Sequence, residues 1–273
     1  MLTAVGIDRT KIEAALNVAR QAYLPFSLHL YDSVTSTNQT LWELLQQGTT
    51  SGTVVIATEQ TSGRGQWGRQ WLSQTGGLYL SAAITPNLSA KNSYQLTLAT
   101  AWGIALALQK CGVTVEIKWP NDLVLNKRKL GGILTETKIS KGQITQAVIG
   151  VGINWQNPVP ETGINLESWQ AQQNLQAIPN LETLALTVLL GIESGMECLN
   201  RDGVDILLSK YSNLLTNMGD EVQVNNLSGT VIGVTSSGCL HVRTSNSESK
   251  SVRTREIYFQ PGTISLGYGT SPK

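Results

Sequence analysis

Apolar and polar positions alternate most clearly around residues 123–134. Leu123 and Leu125, then Leu130, Ile133 and Leu134, read as two strands joined by a tight turn at Asn126-Lys127. The pattern extends on both sides. Residues 113–118, 123–126, 129–139 and 143–154 form four successive strand-like runs, with Lys141-Gly142 as a further turn, which predicts an antiparallel meander. Upstream, Phe26, Leu28 and Leu30 alternate as a strand, residues 53–58 are β-branched enough for a buried one, and Leu78, Leu80, Ala82 and Ile84 alternate until Pro86.

Helical spacing interrupts these strands. Thr10 and Glu13 form a capping-box pattern around Ile12, Ala15, Leu16 and Ala19, and the hydroxyl-rich turn from Ser33 to Asn38 leads into Leu41, Trp42, Leu44 and Leu45, closed by Gly48. Ser89 is the expected cap of a long helix carrying Tyr94, Leu98, Ala101, Ala105 and Leu108, apolar nearly all round and so deeply buried behind the sheet. Residues 157–180, with Pro158, Pro160 and Pro179, read as an irregular excursion before helices over 181–199 and 204–215. Beyond Gly219, four short runs within 221–259, separated by polar turns, predict a small open barrel. The chain thus divides into a helical extension at 1–25, a main α+β domain at 26–217, a small β domain at 218–262 and a tail at 263–273.

Composition narrows the function classes. With 273 residues, 41% of them hydrophobic, the chain has material for a normal buried core. A formal charge of +1 with only 14% charged residues gives no electrostatic footprint for wrapping nucleic acid, so any phosphate bound is expected to be small. Cys111, Cys198 and Cys239 are far apart and in no C-x-x-C arrangement, which points to buried free thiols in a reducing compartment. No run reaches the ~18 consecutive apolar residues of a membrane span. His29 and His241 are the two histidines, a poor basis for a histidine triad or a two-histidine metal site.

The chemistry gathers in the segment from Lys118 to Glu136. Asp122 and Lys129 would face one another across the predicted hairpin, a carboxylate suited to Mg²⁺ beside an ammonium suited to developing negative charge. Lys127 and Arg128 read as a solvated turn, whereas Lys129 precedes an apolar strand with Gly131 and Gly132, where a ligand or a second backbone can come close. A second candidate is Gly63-Arg64-Gly65-Gln66-Trp67-Gly68. It matches G-x-G-x-x-G, but a dinucleotide fold needs a helix directly after it and an acid about 20 residues on. Here a strand follows and Leu88 stands near that position. The loop reads better as a mobile, phosphate-facing one in which Arg64 and Arg69 supply planar donors and Trp67 and Trp71 close over a ring. In Ser36-Thr37-Asn38, Thr37 or Asn38 is the expected cap of the following helix, and Gln60 adds an amide able to bind a polar small molecule.

Taken in order, Ser36-Thr37-Asn38, Gly63-Arg64-Gly65 with Gly68-Arg69 and Trp71, Lys118-Trp119-Pro120-Asn121-Asp122, Arg128 to Leu134 and Gly150-Val151-Gly152-Ile153-Asn154 resemble the motif set of biotin–protein ligases, over about residues 26–260. The resemblance implies an α+β catalytic domain with a mixed, largely antiparallel sheet, similar to that of the class II aminoacyl-tRNA synthetases, and an SH3-like barrel at the C-terminus. It also implies a reaction: biotin is activated by ATP and Mg²⁺ as biotinyl-5'-AMP, then passed to one lysine of the biotin carboxyl carrier domain of a carboxylase. By position, Lys129 resembles the lysine bridging the biotin carboxylate and the α-phosphate, Arg64 and Arg69 the loop arginines around them, and Trp71 the aromatic on the nucleotide side. Ser36, Thr37, Gln60 and Gly132 match the biotin pocket, joined there by Arg64 and Lys129. Lys118, Asn121 and Asn154 match groups near the nucleotide. Asp122 matches an acid that places Mg²⁺ or orients the acceptor lysine.

Two departures stand out. Gln66 occupies the place where the family loop usually has a second arginine. Only about 25 residues precede the catalytic domain, too few for the DNA-binding domain of bifunctional relatives, so no DNA binding and a cytoplasmic, monofunctional enzyme are expected. A lipoate–protein ligase and a non-catalytic biotin sensor are the alternatives, and the sequence leaves monomer and homodimer both open.

Overall fold

The computed structural model describes residues 6–19, 24–224, 227–246, 253–264 and 266–268. Helix α1 (Arg9–Ala19) buries Ile12 and Leu16. Its start differs from the expected capping box. Asp8 accepts from the Thr10 amide at 2.9 Å and the Thr10 hydroxyl at 2.6 Å, while Glu13 pairs with Arg9 at 2.6 Å. A carboxylate just before the first turn is the stronger acceptor, so it takes the cap and leaves Thr10 inside the helix.

Strand β1 (Ser27–Val34), helix α2 (Thr37–Gln46) and strand β2 (Thr53–Gln60) form a parallel crossover unit. Strand β3 (Leu78–Ile84), helix α3 (Tyr94–Lys110), then β4 (Glu116–Lys118), β5 (Asp122–Leu125), β6 (Arg128–Ser140) and β7 (Gln143–Ile153) follow. The resulting seven-stranded sheet has the order β1-β2-β3-β7-β6-β5-β4, and every pairing except β1 with β2 is antiparallel. Both of its faces are covered. Val54, Ile56, Leu80 and Ala82 join the main core with α3, whereas Val55, Ala83 and Val148 pack with Leu41 and Leu45 of α2. This explains why β3 is buried along its whole length although its alternation predicts only every second residue as inward.

Ser89 does not cap α3. It precedes a short 3₁₀ turn at Ala90–Asn92, and α3 begins at Tyr94 behind Ser93, with no side-chain cap at either serine. The stretch 157–180 is not wholly irregular either: α4 (Leu166–Gln172) lies within it, started by Asn165, which accepts from the Ser168 amide at 3.0 Å, and it buries Leu166 and Trp169. Helices α5 (Leu181–Glu197) and α6 (Val204–Ser212) complete the helical layer. Strands β8 (Glu221–Val224), β9 (Leu227–Val234), β10 (Leu240–Asn246) and β11 (Arg253–Phe259) then form a separate antiparallel sheet in the order β11-β10-β9-β8.

The helices behind the main sheet meet at glycines. A Cβ on Gly103 of α3 would lie 2.0 Å from the Gly191 carbonyl oxygen, and one on Gly195 of α5 would lie 2.2 Å from that of Ala99. Two backbones in such contact leave no room for a methyl group. Gly195→Ala should therefore destabilise the chain by about 1–3 kcal/mol through overpacking, read as a lower Tm in thermal unfolding. An unchanged Tm would mean that α3 and α5 have slack that the packing does not suggest.

Candidate active site

The site is built on the β5–β6 hairpin. Asn126 and Lys127 have φ of 49° and 59°, which gives the two-residue turn a twist matching that of the strands. Past the turn, Val124 pairs with Lys129, but Leu123 pairs with Gly131 and Asp122 with Gly132, so one extra residue is accommodated in β6. This bulge sets which residues of β6 share the Asp122 face. Without it Leu130 would stand opposite Leu123 and Gly131 opposite Asp122, so Gly132, Leu134 and Glu136 would point through the other side of the sheet. With it, Lys129 Nζ lies 2.6 Å from Asp122 Oδ1, and a Cβ on Gly132 would lie 3.6 Å from each of those two atoms.

Lys118, paired with Asp122 in the β4–β5 register, brings a second ammonium to the same wall. It is only 8% exposed, and burial pushes it below the ordinary lysine value, with the Asp122 charge pulling partly the other way. The Trp119-Pro120 peptide between these strands is cis.

At the other end of the pocket, the turn before α2 does not cap its helix as expected. Ser36 holds the N-cap position without a side-chain bond, and the Gln60 side-chain carbonyl accepts from the Thr37 amide at 2.8 Å in its place. Thr37 and Asn38 turn toward the sheet because buried partners wait there. Ser81 lies 2.7 Å from the Thr37 hydroxyl and 2.6 Å from Asn38 Oδ1, and Asn38 donates to Glu136 Oε2 at 2.9 Å. The same Glu136 oxygen accepts from Trp42 Nε1 and from Arg64, each at 3.3 Å. Gln60 in turn donates to Ser73 at 2.8 Å, which fixes the direction of its amide.

The glycine-rich loop is fastened by its own backbone, with Trp71 donating to the Gly63 carbonyl at 3.0 Å and Gly65 to that of Arg69 at 2.6 Å. Its two tryptophans separate. Trp71 reaches the pocket floor, with Lys129 Nζ 5.2 Å from its ring centroid, whereas Trp67 packs on Gly262 and under Arg69, 5.7 Å from its ring. The alternate glycines of β7 make the floor possible. A Cβ on Gly150 would lie 2.3 Å from Asn38 Oδ1, and one on Gly152 would lie 2.4 Å from Trp71 Nε1. That indole N–H is buried with no hydrogen-bond partner among the described residues.

One pocket is thus lined by Ser36, Thr37, Gln60, Arg64, Arg69, Trp71, Lys118, Asn121, Asp122, Lys129 and Gly132. Asn154 lies outside its wall. It is buried behind β6, where its side chain donates to the Lys129 carbonyl at 3.3 Å and accepts from Asn157 at 3.0 Å. Asn121 lines the pocket but commits its amide to the Ile133 carbonyl at 2.7 Å.

Sequence reasoning passed over Glu136, Ser81 and the C-terminal residues Ile264 and Leu266 that also face or support this pocket. Glu136 had a signal, a lone acid within an apolar strand. Asp122 is the one carboxylate among the described lining residues, and no cluster of three or more His, Cys, Asp or Glu side chains is found among the described residues. Such a donor set fits a hard cation shared with a ligand's own oxygens, not a cation caged by protein.

The sequence profile of the biotin/lipoate A/B protein ligase family matches residues 30–154, the stretch that carries β1 to β7 and most of the pocket. Residues 30–154 carry the similarity to that family. Among curated relatives, the bifunctional ligase/repressor BirA of Bacillus subtilis is 37% identical over 126 residues, covering 45% of this chain and 39% of that protein. BirA of Escherichia coli is 34% identical over 183 residues, covering 66% of this chain and 57% of that protein. The chain therefore spans well under two thirds of these relatives. Among solved structures, the biotin protein ligase from Aquifex aeolicus in complex with biotin and ATP superposes with a TM-score of 0.66 at 26% identity, covering 85% of this chain and 95% of that one. Among the described residues, no helix is long and apolar enough to cross a membrane.

Proposed function

We propose that this chain is an ATP-dependent biotin–protein ligase. It activates biotin as biotinyl-5'-AMP and transfers the biotinyl group to a lysine of the biotin carboxyl carrier domain of a carboxylase, in the cytoplasm. The observation that carries the reading is the Lys129–Asp122 pair, 2.6 Å apart, in a pocket with Arg64 and Arg69 on one side and the Thr37–Gln60 hydrogen-bond array at its far end. That array suits a ureido group, which offers both donors and an acceptor. A lipoyl dithiolane offers that polar array neither strong donors nor a strong acceptor, so the lipoate reading is disfavoured.

In the first step a biotin carboxylate oxygen attacks the α-phosphorus of ATP, the bond to the β-phosphate oxygen breaks and pyrophosphate leaves. Lys129 is assigned to the charge shared by carboxylate and α-phosphate, with Arg64 and Arg69 as planar donors around it. Lys118 supports a phosphate, and Trp71 forms the wall on the nucleotide side. Ser36, Thr37, Gln60 and Gly132 line the biotin end. Asn154 holds the Lys129 backbone from behind, and Asn121 pins β6 beside it. Asp122 is the residue that would hold Mg²⁺ together with the nucleotide phosphates, and the ion supplies charge neutralisation there. In the second step the carrier lysine nitrogen attacks the acyl carbon and AMP departs. We assign residues 26–217 to catalysis, read the sheet at 218–262 as an SH3-like barrel, and take α1 as an extension docked on the helical layer.

Mixing the chain with MgATP, a carrier domain and either biotin or lipoate tests the proposal. A mass increase on the carrier with biotin alone is expected, and no increase with biotin refutes it. Gln66 gives a second expectation. Its side-chain oxygen is buried without a partner among the described residues. Gln66→Arg should slow dissociation of the adenylate by about tenfold or more, since a charge-assisted hydrogen bond contributes about 1.5–3 kcal/mol. Equal release rates in wild type and variant would rule out a leak at this position.

A further inference from the structure

The segment after β11 folds back over the pocket. Gly262 lies against the Trp67 ring, Ile264 and Leu266 join the pocket wall, and Leu266 is 8% exposed within the main core. Two residues further, the Tyr268 hydroxyl donates to Asp122 Oδ2 and its ring lies 3.7 Å from Lys118 Nζ. Both oxygens of Asp122 are therefore engaged, Oδ1 by Lys129 and Oδ2 by Tyr268. The Lys118 ammonium, buried from solvent, has an aromatic face as its counter-surface.

These are the groups that a metal-bound triphosphate would need. A carboxylate with a donor at each oxygen presents less of itself to a cation, and an ammonium seated on a ring presents less of itself to phosphate. The tether is firm because Ile264 and Leu266 are packed, which places the phenol beside Asp122 at high effective concentration.

We infer that Tyr268 is a tethered competitor of the nucleotide, holding Asp122 and Lys118 until magnesium-bound ATP displaces it. The inference rests on the proposed ligase reading, and adds to it that the apparent nucleotide affinity is set partly by the C-terminal segment.

Two substitutions in the full chain test it. Tyr268→Phe keeps the ring and frees Asp122, while Tyr268→Ala frees both groups. In biotin-dependent pyrophosphate exchange, Tyr268→Ala should lower the KM for MgATP by about three- to tenfold, as expected when the competent state gains population, and Tyr268→Phe by a smaller factor, with the biotin KM unchanged. A MgATP KM that rises or stays the same overturns the inference, since Tyr268 would then belong to the nucleotide site or be a bystander. A second readout needs neither variant nor turnover. Nitration of wild-type Tyr268 by tetranitromethane, followed by peptide mass, should increase when a non-hydrolysable MgATP analogue is added, and no increase overturns the inference. Absence of exchange in the wild type would refute the ligase reading alone, because the nitration result stands independently.

Discussion

Lys129→Ala is expected to lose adenylate formation by about 10²–10³-fold, the range found when one preorganised donor to a developing charge is removed. The loss belongs in the first chemical step, because Lys129 is the ammonium set between the Asp122 carboxylate and the Trp71 ring, where a shared anionic charge would be stabilised. Asp122→Asn separates the partners. The amide still fits between Lys129 and Tyr268, so adenylation should persist with a raised Mg²⁺ requirement. Biotin-dependent pyrophosphate exchange against Mg²⁺ concentration measures both. Adenylation at the wild-type rate in Lys129→Ala would show that the hairpin has been misread. An Asp122→Asn variant that adenylates normally at every Mg²⁺ concentration but fails to load the carrier would move Asp122 to the acceptor side.

The second large effect is expected at Glu136, which touches no predicted ligand. One of its oxygens accepts from Asn38, Trp42 and Arg64. Glu136→Ala leaves the Asn38 amide and the Trp42 indole without that acceptor and releases Arg64 from the rim. Each lost bond of a part-buried group costs about 1–3 kcal/mol, some of it recovered by water. The biotin end of the pocket should loosen, raising the biotin KM by about 10–100-fold, while the MgATP KM moves much less. Glu136→Gln, which keeps an acceptor oxygen, should recover part of the loss. A biotin KM unchanged in Glu136→Ala would make the network a bystander.

What could be read in the sequence was set by local rules. The β4 to β7 meander was legible because Asn126-Lys127 and Lys141-Gly142 punctuate apolar alternation with residues that accept positive φ. The Lys129–Asp122 pair was legible because a hairpin brings nearby sequence together. The bulge that puts Gly132 opposite Asp122 was not, since it depends on how β6 is held between β5 and β7. Caps failed for a related reason. Asp8 outcompetes Thr10 as an acceptor, and the Asn38 side chain, inside α2, is committed to Ser81 and Glu136, 43 and 98 residues away. Tyr268 reaches Asp122 across 146 residues from a segment with no periodicity, so no local signal pointed to it.

The small sheet has a further consequence. Its β9–β10 turn is gripped twice by the main domain, by Trp119 Nε1 donating to the Gly238 carbonyl at 2.9 Å and by Gln95 donating to that of Ser236 at 2.9 Å. Val231, Leu240 and Val242 belong to the same continuous apolar core as α3 and β5. The boundary near residue 218 is therefore one of topology and not of cooperativity. Deleting the sheet on its C-terminal side would strip a buried indole of its partner beside the Lys118–Asp122 wall, so the two parts should unfold as one thermodynamic unit.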